Sequence, residues 1–189
     1  IGPNGGRLER STAARCWRAL WVAMAAAGFT GNDALTYTPG GTYRTLKQQE
    51  TLFLQRWQIA DVTNDGTPAA IDRHKAAGHV FYNGAWWQLR PGVARAAVPA
   101  TSNHGIGCAV DTALGPNPTA ARPITSKALT GQTGLAWLTA PAPAAYGRVC
   151  NAVSLGWSWE SQAEPWHLHL ASERIPQRVA DVEHYLASV

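Results

Sequence analysis

The chain is short of charge, of sulfur and of long apolar runs. Only 15% of its 189 residues are Asp, Glu, Lys or Arg, and it has three Cys and a single Met. Three cysteines (Cys16, Cys108, Cys150) cannot all pair, and none stand in a C-x-x-C arrangement. That argues against a disulfide framework or a cysteine-rich metal site and predicts free core thiols in a chain made under reducing conditions. The 16 basic and 12 acidic side chains leave a net charge of +4 with no block of Lys or Arg, so no nucleic-acid partner is expected. The longest apolar stretch, residues 19–28 beside Arg18, is about half the ~20 residues needed to cross a bilayer, so no membrane partner is expected either. The first six residues carry neither a basic region leading into an apolar one nor a small-residue cleavage site; the expectation is an excised domain or a mature chain.

What is present is 46% hydrophobic residues, enough at this length for one domain over 1–189. Such a chain buries about 70% of its unfolded surface, so no metal is needed merely to make a core. Nine tryptophans against three Phe are the compositional oddity. They fit either core filler or the aromatic wall of a substrate cleft, with Trp86 and Trp87 the candidates for the wall.

Periodicity predicts a first helix over 8–27, with Leu8, Trp17, Leu20, Trp21 and Met24 on one face and Gly28 after it. Residues 30–42 are rich in turn formers and read as an exposed connection. A second helix is expected just after Arg44, over 46–59, followed by a long irregular segment over 61–100. Residues 108–114 read as a buried strand, 144–155 as a third helix, 157–159 and 166–170 as period-two strands, and 179–186 as a short closing helix. The outline is α+β, with N-terminal helices packed on a small antiparallel sheet.

The densest chemistry is in residues 102–111, SNHGIGCAVD. His104 in a Gly-rich loop and Asp111 at the far end of a short strand offer an imidazole nitrogen and a carboxylate oxygen to one divalent ion. In residues 164–169, EPWHLH, His167 and His169 share one face of a period-two strand, so either supplies a third ligand, and Glu164 stands nearby. Three protein ligands leave zinc an open fourth position for water. The pKa of that water falls to about 7, and a neighbouring carboxylate can carry its proton to a leaving amine. The implied chemistry is amide hydrolysis.

These residues resemble the zinc D,D-peptidases of bacterial cell walls, the VanX- and VanY-type enzymes and related phage endolysins. The family pattern S-x-H-x-x-G-x-A-x-D is met by Ser102, His104, Gly107, Ala109 and Asp111, and E-x-x-H by Glu164 and His167 with Trp166 before the histidine. Tyr43, Arg44 and Thr45 followed by Gln48 meet a Y-R-[ST] element with its Gln. The three motifs stand in the family's order over residues 42–170, and the wording around 91–111 and 156–167 is most similar to the endolysin branch.

The resemblance implies a hedgehog/D,D-peptidase-like fold, one zinc ion held by His104, Asp111 and His167, Glu164 as general base and Arg44 steadying the substrate carbonyl. It places Ser102, Gln48 and Trp166 in the substrate cleft; His169 is either hydrogen-bonded to a ligand or the base or a packed strand residue. The expected substrate is peptidoglycan, and the expected protein is a monomeric lysin that accumulates in the host cytoplasm and acts on the wall. Its bond would be L-Ala to D-Glu or a D-Ala cross-link. A D-alanyl-D-alanine carboxypeptidase and a non-catalytic wall-binding module are the alternatives.

Overall fold

The computed structural model describes residues 12–63, 65–141, 151–158 and 164–170. In chain order it contains α1 (Thr12–Ala26), β1 (Leu35–Tyr37), α2 (Leu46–Arg56), β2 (Trp57–Asp61), α3 (Pro68–Ala76), β3 (Val80–Tyr82), β4 (Ala85–Leu89), β5 (Ala109–Leu114), β6 (Arg122–Pro123), α4 (Gly134–Thr139), α5 (Asn151–Ser154), β7 (Trp157–Ser158) and β8 (His167–Leu170). The architecture is α+β with small antiparallel sheets. The chain forms two compact units: one from Ile1–Tyr43 with Ile106–Val189, the other from Arg44–Gly105.

In the first unit the strands run β1-β5-β8-β7, with β6 also paired to β5. α1 buries Trp17, Leu20 and Met24 of the expected stripe together with Ala13, Cys16 and Ala19, while Trp21 is partly buried and Leu8 lies outside the described residues. Gly28 closes it at φ 92, and the Phe29 amide bonds back to the Met24 carbonyl, a Schellman-type end that a glycine permits without strain. All six residues of β5 are buried, as the apolar run predicts for a central strand. β8 alternates instead: Leu168 and Leu170 enter the core, and His167 and His169 lie half-buried on the other face. Trp17 and Trp157 meet edge to face in this core, 6.2 Å between centroids.

The second unit is a three-stranded sheet, β2-β4-β3, with α2 and α3. Phe53 of α2 is its anchor, stacked on Trp57 at 5.6 Å and meeting the edges of Tyr82 and Trp87. Trp86 stacks on His74 of α3 at 4.5 Å.

Several expectations need correction. The segment over 61–100 is not irregular: α3, β3 and β4 lie within it, and Trp86 and Trp87 pack in the sheet unit instead of walling a cleft. The Trp87 indole N–H is spent on the Tyr82 carbonyl at 2.9 Å. The connection over 30–42 contains β1, whose three residues are all buried. The second helix ends at Arg56, where the chain straightens into β2, and α4 went unforeseen. Most of the third helix, the closing helix, Cys150 and Trp159 lie outside the described residues. Cys16 is buried and Cys108 partly buried.

Candidate metal centre

Strand pairing brings the first two candidate ligands together. β5 and β8 run antiparallel with Asp111 directly opposite His167, and His167 Nδ1 lies 2.9 Å from Asp111 Oδ1. Directly opposed side chains on one face are close enough for this contact without distortion. Residues distant in sequence are thus neighbours because two short strands keep their register.

The backbone of Asp111 is clamped from the loop that follows β1. Its N–H donates to the Gly41 carbonyl at 2.7 Å, and its carbonyl accepts from the Thr38 N–H at 2.9 Å. A Cβ on Gly41 would lie 2.9 Å from Asp111 Cβ and 2.8 Å from the Thr38 carbonyl oxygen, so only glycine fits behind the aspartate. The next residue, Thr112, holds the other strand: its N–H and its hydroxyl both donate to the Trp166 carbonyl, at 2.7 and 2.8 Å. Trp166 immediately precedes His167, so the turn carrying Glu164, Pro165 and Trp166 is fastened at the ligand's own doorstep. The His167 N–H donates to the Glu164 carbonyl at 3.0 Å.

His104 lies on a 3₁₀ turn, Asn103–Ile106, and is 3% exposed. Its N–H donates to Ser102 Oγ at 3.3 Å, and its carbonyl accepts from the Arg44 N–H at 3.0 Å. His104, Asp111 and His167 each offer one ligand atom, and these atoms lie within 4.8 Å of one another. A tetrahedral ion with bonds of about 2.0–2.2 Å keeps its ligand atoms about 3.4 Å apart. Two imidazole nitrogens and one carboxylate oxygen are donors suited to zinc, and three protein ligands leave a position for a further oxygen. His169 is not in this group; its ring centroid is 6.3 Å from that of His167.

The remaining candidates are placed as follows. Glu164 is exposed on its turn, three residues before His167. Trp166 is 40% exposed, the one exposed tryptophan among the described residues. With Pro165, Thr112, Pro39, Pro123 and Ile124 it lines a cavity of about 510 Å³. Gln48 is exposed, and its side-chain oxygen accepts from the Thr45 N–H at 2.8 Å, completing the capping box of α2. The neighbouring Gln49, expected with Lys47, Gln48 and Glu50 on the polar side of the helix, is instead 6% exposed. The signal was available: it stands four residues before Phe53, on the helix face that is buried. Gly41 was read only as turn chemistry, and nothing in the sequence marks its closeness to Asp111.

No protein-family model and no curated protein sequence matches the chain. Among solved structures it is similar to a mutant of the vancomycin-resistance D,D-pentapeptidase VanY from a VanB-type resistance cassette, in complex with Zn(II). The identity is 22% and the TM-score 0.46, with 97% of this chain and 86% of that chain covered. A second structure, VanYB in complex with D-alanine-D-alanine, is similar at 19% identity and TM-score 0.45, over 98% of this chain and 86% of that one.

Proposed function

We propose that this chain is a zinc-dependent peptidase that hydrolyses an amide bond in the peptide part of peptidoglycan, as the catalytic domain of a phage lysin. The observation that carries the reading is the convergence of His104, Asp111 and His167, the same three residues that the motif pattern singles out as ligands. A zinc ion held there would supply a Lewis acid that polarises the scissile carbonyl and acidifies water. Glu164 takes a proton from the attacking water and delivers it to the leaving amine. Arg44 donates to the scissile carbonyl oxygen as negative charge builds on it. Ser102 and Gln48 line the peptide's path, and Trp166 offers the substrate an indole face. Gln48 does so through its Nε2 donors, its Oε1 keeping the bond from the Thr45 amide.

A non-catalytic wall-binding module would have no use for a base at Glu164 or a cation at Arg44. The lysin reading has the protein accumulate in the host cytoplasm and meet the wall from within.

The test is mass spectrometry of fragments released from purified peptidoglycan with and without a chelator. Chelator-sensitive release of stem peptides or opened cross-links is the expected result. Release of D-Ala alone would reassign the enzyme as a carboxypeptidase. No release from walls of several compositions would overturn the peptidase reading in favour of the binding module.

A further inference from the structure

We propose that Gln49 is a positioning residue for the metal centre, its buried amide fixing the backbone that carries both His104 and Arg44. The inference rests on reading His104 as a metal ligand. Gln49 Nε2 donates to the Arg44 carbonyl at 3.1 Å, and its Oε1 accepts from the Ala100 N–H at 3.1 Å. A carbonyl can only accept and a backbone N–H can only donate, so the two partners leave the amide a single orientation.

Ala100 is one of two non-glycine residues with positive φ among those described, at 69°. That conformation is unfavourable for alanine and persists where the surroundings impose it. Here a turn closed by the Thr101 N–H on the Val98 carbonyl at 3.0 Å, with Pro99 as its second residue, sets the conformation, and the Gln49 bond fastens the turn to α2 just before Ser102 and His104. The third contact is steric: a Cβ on Gly105 would lie 2.6 Å from Gln49 Nε2 and 2.9 Å from Oε1. The amide therefore lies flat against the residue that follows His104. The Arg44 N–H closes the circuit on the His104 carbonyl at 3.0 Å. One side chain thus braces the arginine proposed to meet the substrate carbonyl and the loop proposed to present a ligand, while touching no reacting atom.

The experiment measures zinc affinity by competition with a chromophoric chelator, together with the visible spectrum of the cobalt-loaded protein. Wild type, Gln49→Met, Gln49→Glu and Phe53→Leu are compared, the last removing packing from the same unit at a side chain that makes none of these hydrogen bonds. Gln49→Met removes both bonds at similar length, and Gln49→Glu keeps the acceptor for Ala100 but loses the donor to Arg44. Outer partners of metal ligands typically change affinity by about 10–100-fold, and Gln49→Met should fall in that range with an altered cobalt spectrum. Gln49→Glu should fall between it and wild type, and carries the test if Gln49→Met does not fold. Phe53→Leu should lower the melting temperature and leave affinity and spectrum unchanged.

Wild-type affinity and spectrum in the Gln49 variants would overturn the proposal. So would an equal loss in Phe53→Leu at matched destabilisation, or metal binding by wild type that His104→Ala leaves intact. A wild type that binds metal through His104 yet releases nothing from walls would sink the peptidase reading and leave this one standing.

Discussion

The space of one hydrogen atom behind Asp111 decides whether that carboxylate can stand where it does. In Gly41→Ala the new methyl meets the Thr38 carbonyl at 2.8 Å and Asp111 Cβ at 2.9 Å, and neither is the yielding end of a flexible side chain. Overpacking of this kind costs about 1–3 kcal/mol. The variant should lose that much in urea unfolding and bind zinc more weakly; unchanged values for both would show that the loop gives way freely. Asp61 supports a prediction with a sign. Its carboxyl is held below the ordinary carboxylate range, chiefly by the hydroxyl of Thr63 and then by the Thr63 N–H. A lowered folded value means stability that is present above the unfolded value, near 3.9, and is lost as pH falls through the folded one. Thr63→Val should therefore raise the Asp61 titration midpoint, as read by NMR, and shrink that acid-side loss. At this scale the candidate ligands were legible because chemistry demands particular residue types at particular spacings. Gly41 was not, because what matters in it is an unfilled volume; Gln49 showed only in its spacing from Phe53, and nothing marked its amide as a brace.

The elements that carry the site are short, and their ends are set by local chemistry. Thr45 caps α2 by accepting from the Gln48 N–H at 3.3 Å, while the Gln48 side chain answers the Thr45 N–H. Thr45→Ala should cost about 1 kcal/mol in thermal or urea unfolding; a neutral result would mean the cap is redundant. The stretch over 61–100 contained readable signals that its Gly and Pro content masked. Thr67 before Pro68 is an N-cap followed by a proline at the first helical turn. Asn83-Gly84, both at positive φ (48° and 79°), is the tight turn between β3 and β4. β1 was hidden for a different reason: three residues are too few to show a period of two, and they form a strand because β5 supplies the partner. β8 was legible because its alternation of His and Leu matches the two faces it separates.

Across the molecule, the two units are closed by apolar clusters that owe nothing to a metal. One is built around Trp17, Leu20, Leu114, Trp157 and Leu168, the other around Phe53 and Trp57. Removing metal with a chelator should therefore abolish hydrolysis and leave the far-ultraviolet circular dichroism essentially unchanged. Unfolding on chelation would instead make the ion a structural one. The α+β class and the antiparallel pairing were legible from pattern, whereas the division into two units was not, because the turn-rich residues 30–42 and the Gly-rich loop of His104 read equally well as connections within one domain. The most direct test of the central claim is Glu164→Gln, purified with its zinc content verified, assayed for digestion of purified cell walls beside wild type. A loss of 100-fold or more with zinc fully retained is predicted, in keeping with the about 10²–10⁴-fold contribution of a general base. Equal rates would contradict the account.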